Sequence, residues 1–236
     1  MVSVSVVIPT LNEAARLPVA VSSARAAGCV EVLVADGGST DATASLAKTL
    51  ACRLIETPRG RGIQQNAAAR LAAGEVLLFL HADCRLPREA LQQIDEAVHR
   101  FGATAGAFRQ SIDAPGHLYR ALETGNALRV RLFGLAYGDQ AIFVRRDLFE
   151  AVGGFPEWPL MEDVGLMQRL RRARVRPVLL DGPVVVSARR WQRCGVVRQT
   201  LRNWSLLAAY FCGVSPRTLA RFYDGPGVVR PSAVER

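Results

Sequence analysis

Apolar runs of strand length alternate with segments of helical period from residue 2 to about residue 145, and that alternation limits the fold more than any other feature. Strands are predicted over residues 2–8, 30–35, 53–56 and 76–80, with helices near 13–27, 41–51 and 63–73 between them. The last strand, Val76 to Leu80, has five apolar residues in succession, as a central strand covered on both faces would. A helix over 88–100, a strand over 103–109, a helix around 118–132 and a strand over 141–145 follow. Repeated strand–helix–strand order predicts an α/β domain with a mostly parallel central sheet flanked by helices. From about Gly138 the chain is expected to return, complete a site and end in helices.

Composition narrows the function classes. Of 236 residues, 50% are hydrophobic and 22% charged, which excludes disordered, collagenous and disulfide-scaffold chains. The cysteines, Cys29, Cys52, Cys84, Cys194 and Cys212, share no C-x-x-C pairing, so a reducing cytosol fits. Residues 1–9 lack a basic region and a cleavage site, and the uncharged stretch 203–216 is shorter than the ~20 residues a membrane-spanning helix needs. The expected location is cytoplasmic, with peripheral contact at the inner face of the membrane. The net charge of +9 is local: residues 164–223 hold twelve arginines against one acid, Asp181. Such a patch suits an anionic ligand, an anionic membrane or nucleic acid, and no nucleic-acid-binding motif accompanies it.

In an open parallel sheet ligands bind beyond the carboxyl ends of the strands, and here those ends are polar. Strand one runs into Pro9-Thr10-Leu11-Asn12-Glu13, strand two into Asp36-Gly37-Gly38-Ser39-Thr40-Asp41, and strand 76–80 into His81-Ala82-Asp83. The first turn has no glycine, Gly60-Arg61-Gly62 lacks a third, and Lys48 follows an alanine, so neither a dinucleotide fingerprint nor a Walker A loop is present. An anionic diphosphate must then be neutralised otherwise, and a divalent cation on a carboxylate, Asp83, does so with one or two carboxylates plus water and phosphate oxygens. The bland alternative for Asp83 is a cap for the following helix. Asp36 reads as an acceptor for a nucleobase N–H or ribose hydroxyl, or as part of a strand-to-helix turn.

V-S-V-V-I-P-T-L-N-E ending at Glu13, A-D-G-G-S-T-D-A-T over 35–43, F-L-H-A-D over 79–83, G-D-Q over 138–140, V-G-G-F-P-E over 152–157 and the Glu162-Asp163 pair together resemble the inverting glycosyltransferase family 2. R-G-I-Q-Q-N-A, L-L-F-L-H-A-D-C-R-L-P and S-A-R-R-W are similar to a bacterial subgroup found with radical-SAM proteins and implicated in arsenosugar synthesis. The resemblance implies a GT-A fold, a single Rossmann-like domain over residues 1–191, with a helical extension over 192–236 packed on it. It implies a donor pocket for a nucleotide-diphospho-sugar, UDP- ahead of GDP-, lined by Pro9, Thr10, Glu13, Asp36, Arg61, Asn66, His81 and Ala82. It gives Asp83 the metal, Mn²⁺ or Mg²⁺, and Asp163, beside Glu162, the role of catalytic base. Gly138, Asp139, Gln140, Arg190 and Trp191 are then expected near the diphosphate or the acceptor.

Inverting transfer is a direct displacement, so a base must take the acceptor proton while a cation stabilises the departing diphosphate. Beside another carboxylate, Asp163 is expected to have a raised pKa. His81 stands where many relatives carry an aspartate; imidazole is a poor Mg²⁺ ligand, so an outer-sphere or phosphate contact is expected. Ser187 replaces the glutamine of the family's Q-x-x-R-W signature, which points to a single transfer onto a hydroxyl or carboxyl of a small or lipid-linked acceptor. Arg190 is read as a fork donor to diphosphate or as part of a solvated face. His99 and His117 are read as surface residues. Val197, Leu201, Trp204, Leu207 or Ala208, and Phe211 share a stripe that reads first as a core-packing helix face and second as an interfacial one. The rival to an enzyme is a non-catalytic basic protein that binds an anionic membrane through residues 164–223.

Overall fold

The computed structural model describes residues 1–223; residues 224–236, the end of the expected extension, lie outside it. In chain order the elements are β1 (Val4–Thr10), α1 (Leu17–Ala26), β2 (Glu31–Asp36), α2 (Thr43–Thr49), β3 (Arg53–Glu56), α3 (Arg61–Ala69), β4 (Val76–Phe79), β5 (Cys84–Arg85), α4 (Ala90–Phe101), β6 (Ala105–Ile112) and α5 (His117–Phe133). After a 3₁₀ turn (Gly138–Gln140) come β7 (Ile142–Arg145), α6 (Arg146–Ala151), α7 (Glu162–Arg172), β8 (Val178–Val186), α8 (Arg189–Cys194), α9 (Val196–Phe211) and α10 (Pro216–Arg221).

The strands form one sheet in the order β3-β2-β1-β4-β7-β6-β8-β5. Its first half, β3 to β4, is wholly parallel, so the ends of β1, β2 and β4 lie side by side. β7 then pairs antiparallel with β4 and β6, while β8 runs parallel to β6.

Alternation along the central strands sends side chains to two cores. Val4, Val6 and Ile8 of β1, with Val76, Leu78 and Leu80, pack under α1 and α4. Val7, Leu77 and Phe79 point the other way, against α3, α6 and α7. Both faces are covered, as five apolar residues in succession require. Each fully buried Leu or Phe contributes about 1.5–3 kcal/mol. Phe79, Phe149 and Phe155 form an aromatic trio with centroids 4.8–5.6 Å apart. This trio fixes α6 and the loop after it beneath the carboxyl end of β4.

Two strands are absent from the sequence reading. β8 is interrupted by Asp181-Gly182-Pro183, which reads as a turn; the structure accommodates it where the β6–β8 register shifts, so the missing proline N–H breaks no continuous ladder. β5 is two residues long and exists only through its pairing with β8. The reading of α9 as a core-packing face is also corrected. Its apolar stripe faces outward, with Val197, Leu201 and Phe211 58% exposed and Trp204 60%. The opposite face, carrying Gln199 and Leu206, is the buried one, because the site loop at Leu160 and Met161 packs there with Leu219, Ala220 and Tyr223. No helix among the described residues is long and apolar enough to cross a membrane.

Candidate active site

The ends of β1 and β4, the 3₁₀ turn, the start of α7 and the start of α8 enclose one cleft. Pro9, Thr10, Glu13, Arg61, His81, Ala82, Asp83, Gly138, Asp139, Glu162, Asp163, Arg190 and Trp191 all line it. It therefore gathers most of the residues singled out in the sequence.

Asp163 and Glu162 open α7 behind Met161, which is held in the left-handed region at φ 66°. Such a backbone costs about 1–3 kcal/mol for a residue with a Cβ and persists where surroundings enforce it. Gly165 lets α7 come close to the preceding loop, since a Cβ there would lie 2.4 Å from Pro156 Cγ. Both Asp163 oxygens are fixed: Oδ2 accepts from the Gly138 N–H at 2.9 Å and Oδ1 from the Val164 N–H at 2.7 Å. Each oxygen keeps acceptor capacity for a further proton donor. Gly138 has a second role, because a Cβ on it would meet His81 Nε2 at 2.6 Å.

The upward shift expected from pairing two carboxylates falls on Glu162. Burial, then the charge of Asp163, push Glu162 up to about 7, against Arg61, whose Nη1 lies 3.7 Å from Oε1. Its ordinary value is 4.5, so the folded chain binds a proton there that the unfolded chain has lost. That stabilisation is complete below pH about 4.5 and disappears as pH rises through about 7, a loss on the order of 3 kcal/mol. Glu162→Gln is accordingly expected to flatten the fall in melting temperature between pH 5 and pH 8. Parallel melting curves for variant and wild type would show that the charge carries no such cost.

His81 is pushed down to about 3, by burial first and then by Arg61, so it is a neutral imidazole at physiological pH. Burial opposes ionisation of Asp83, but the charges of His81, Arg189, Arg190 and Arg61 outweigh it and hold the carboxyl below its ordinary range. At pH 7, with His81 neutral, the guanidinium groups of Arg189, Arg190 and Arg61 are the charges that favour the ionised carboxylate. Asp139 is raised by burial, and its Oδ1 is buried without a hydrogen-bond partner among the described residues. No cluster of three or more His, Cys, Asp or Glu arranged for a metal occurs among the described residues. The donor set still fits a hard cation that takes one carboxylate, Asp83, and completes its shell with diphosphate and water.

Three expected ligand-binding residues sit outside the cleft lining. Asp36 accepts four hydrogen bonds, from the Thr10 and Ser39 hydroxyls and the Gly38 and Ser39 amides, so its carboxylate knits the β2 turn to the end of β1. Asn66 clamps Phe155, donating to its carbonyl and accepting from its N–H, both at 2.9 Å. Gln140 is fully buried, accepting from Arg129 at 2.6 Å and donating to the Phe108 carbonyl. For Asn66 and Gln140 the side-chain amide is engaged by the scaffold rather than turned into the cleft. Arg190 donates to the Tyr223 hydroxyl, and Trp191 packs against the α1–α4 core.

The sequence reading missed Gln64, Tyr137, Met161, Arg189, Asn203, Leu206 and Tyr223, all of which line the cleft. Arg189 lies inside the S-A-R-R-W motif and Gln64 inside R-G-I-Q-Q-N-A, but neither motif gave the residue a role of its own. Asn203, Leu206 and Tyr223 carried no signal, since only the packing of α9 and α10 brings them there.

A half-parallel sheet whose strand ends open on an acidic cleft is the GT-A architecture of nucleotide-sugar transferases. A mannosyltransferase, PcManGT from Pyrobaculum calidifontis, solved with GDP-Man and Mn²⁺, superposes with a TM-score of 0.63 at 20% identity, over 95% of this chain and 66% of that one. TarS 1–349 of S. aureus with UDP-GlcNAc gives 0.62 at 18% identity, over 78% and 58%. The model of glycosyl transferase family 2 matches residues 5–153, and the chain belongs to that family. A PGL/p-HBAD biosynthesis glycosyltransferase of Mycobacterium bovis is 34% identical over 64% of this chain and 62% of its own length, so this chain spans less than two thirds of that relative. The succinoglycan biosynthesis protein ExoA of Rhizobium meliloti is 27% identical over 84% of this chain and 69% of its own.

Proposed function

We propose that this chain transfers a sugar, with inversion, from a nucleotide-diphospho-sugar to a hydroxyl or carboxyl of a small or lipid-linked acceptor. The observation that carries the reading is the Asp163 carboxylate, fixed by two backbone N–H groups in the same cleft as Asp83. Asp163 takes the acceptor proton as the acceptor oxygen bonds to the anomeric carbon, while the bond to the diphosphate breaks and its electron pair leaves with the diphosphate. Asp83 would hold Mn²⁺ or Mg²⁺, which when bound supplies positive charge against the departing diphosphate. Pro9, Thr10, Glu13, Arg61, His81 and Ala82 line the donor side, and Asp36 steadies it through Thr10. UDP stands ahead of GDP as the donor base; one structural neighbour is solved with UDP-GlcNAc and another with GDP-Man and Mn²⁺. The R-G-I-Q-Q-N-A and S-A-R-R-W segments support placing the chain in the radical-SAM-associated, arsenosugar-type subgroup.

Melting temperature with UDP, GDP, ADP and CDP, each with Mn²⁺, Mg²⁺ or chelator, tests the donor. A ligand at 100 times its dissociation constant stabilises by about 2.7 kcal/mol. Metal-dependent stabilisation by one diphosphate supports the transferase; none under any condition sinks it.

The acceptor side adds a location. The outward stripe of α9 is exposed, as is Phe222, and the same C-terminal segment carries Arg193, Arg198, Arg202, Arg217 and Arg221. Exposed apolar side chains in an arginine-rich segment suit an anionic bilayer, with Trp204 at headgroup depth. Asn203 and Leu206 line the cleft from the other side of the same helix, so a lipid-linked acceptor in a bilayer on the stripe would lie about one helix diameter, ~10 Å, from it. Cosedimentation with phosphatidylglycerol vesicles is expected to be salt-sensitive and to fall at least about tenfold in Leu201→Ser/Trp204→Ser. Equal retention of wild type and variant would exclude the stripe as the anchor.

A further inference from the structure

Glu13 and Asp83 stand at the ends of neighbouring strands, and one guanidinium nitrogen bridges them. Arg189 Nη2 donates to Glu13 Oε1 at 2.9 Å and lies 3.3 Å from Asp83 Oδ2. Arg189 arrives there by way of a backbone ladder. β5 pairs with β8, placing Cys84 opposite Val186, and the next bond runs from the Ser187 N–H to the Asp83 carbonyl at 3.2 Å. Two residues later α8 begins with Arg189, so the residue carrying the cation is tied through the backbone to the residue carrying the anion. Glu13 has a second partner, Arg16, at 2.9 Å; Arg189 is the cation common to both carboxylates.

We propose that Arg189 is a built-in counter-cation, occupying the charge position at Asp83 in the donor-free chain and competing there with the divalent ion. This inference rests on the proposed function, because it takes Asp83 to be the metal ligand. One guanidinium balances one carboxylate while no other cation is present, and a divalent ion, with twice the charge, competes with it for the same oxygen. Metal arriving with the donor therefore releases Arg189 from Asp83. The freed guanidinium, still anchored by α8, is then available to the diphosphate as a forked donor. Arg189 is thus a positioning residue that couples metal binding to donor binding.

Coupling of this kind is visible as a change in metal affinity without donor. Arg189→Gln is expected to tighten Mn²⁺ binding in the absence of nucleotide by about tenfold, read as loss of the free-ion paramagnetic resonance signal, while weakening UDP or GDP binding in the presence of Mn²⁺. Arg189→Lys, which keeps the charge, is expected to return Mn²⁺ affinity to near the wild-type value. Arg16→Gln, which frees Glu13 alone, should leave it unchanged. If Arg189→Gln binds Mn²⁺ no more tightly than wild type, while wild type binds Mn²⁺ and nucleotide together, the counter-cation role is wrong and the transferase reading stands. If neither protein binds Mn²⁺ with any nucleotide, both are wrong.

Discussion

Asp163→Asn is expected to lower the rate of transfer about 10³-fold, within the range that a positioned general base supplies, while donor binding changes little. The geometry separates the two effects. The Asp163 oxygens are held by Gly138 and Val164 amides at the mouth of α7, whereas the residues proposed for the donor side lie at the end of β1, in the turns after β1 and β4, and at the start of α3. An asparagine fills the same space and its carbonyl keeps one of the two backbone contacts; its NH2 cannot accept from the other amide, so one fixing bond is lost together with the group that accepts a proton. The measurement is steady-state transfer alongside nucleotide-induced stabilisation of the same variant. Stabilisation kept with transfer lost identifies a base; a variant that transfers within tenfold of wild type would move the base elsewhere, with Glu162 the next candidate.

The second large effect is on the metal side. Asp83→Ala is expected to abolish the part of nucleotide stabilisation that depends on Mn²⁺ or Mg²⁺, on the order of 2–3 kcal/mol at saturating diphosphate. Removing the carboxylate also leaves Arg189 paired with Glu13 alone, so the variant should remain folded. The control is the chelated wild type, which should melt with nucleotide as the variant does. If Asp83→Ala keeps its metal-dependent gain, the cation is held by another group, and Asp139 Oδ1, buried without a partner among the described residues, is the first to examine.

Much of the site was legible because its residues follow strands. Pro9 to Glu13 and His81 to Asp83 come directly after apolar runs, and a parallel sheet sets such turns side by side whatever else the chain does. Asp36 was also legible, but Thr10, Gly38 and Ser39 give its carboxylate four hydrogen bonds, a fact that spacing does not reveal. The scaffold bonds of Asn66 and Gln140 were hidden for the same reason: a polar side chain beside a motif can serve the ligand or the scaffold, and spacing does not show its partners.

The sequence by itself determined the alternating order of strands and helices, the two-sided burial of β4 and the acidic turns, because each depends on local periodicity and on the side chains nearest a strand end. Tertiary structure alone decided the rest. β5 has no propensity of its own and forms because β8 lies beside it, and through that pairing Arg189 reaches Asp83 from 106 positions away. The orientation of α9 was likewise undetermined, since periodicity says which residues share a face and not which face meets the protein. Its buried side is set by the loop carrying Leu160 and Met161, and its apolar stripe is left to the solvent side.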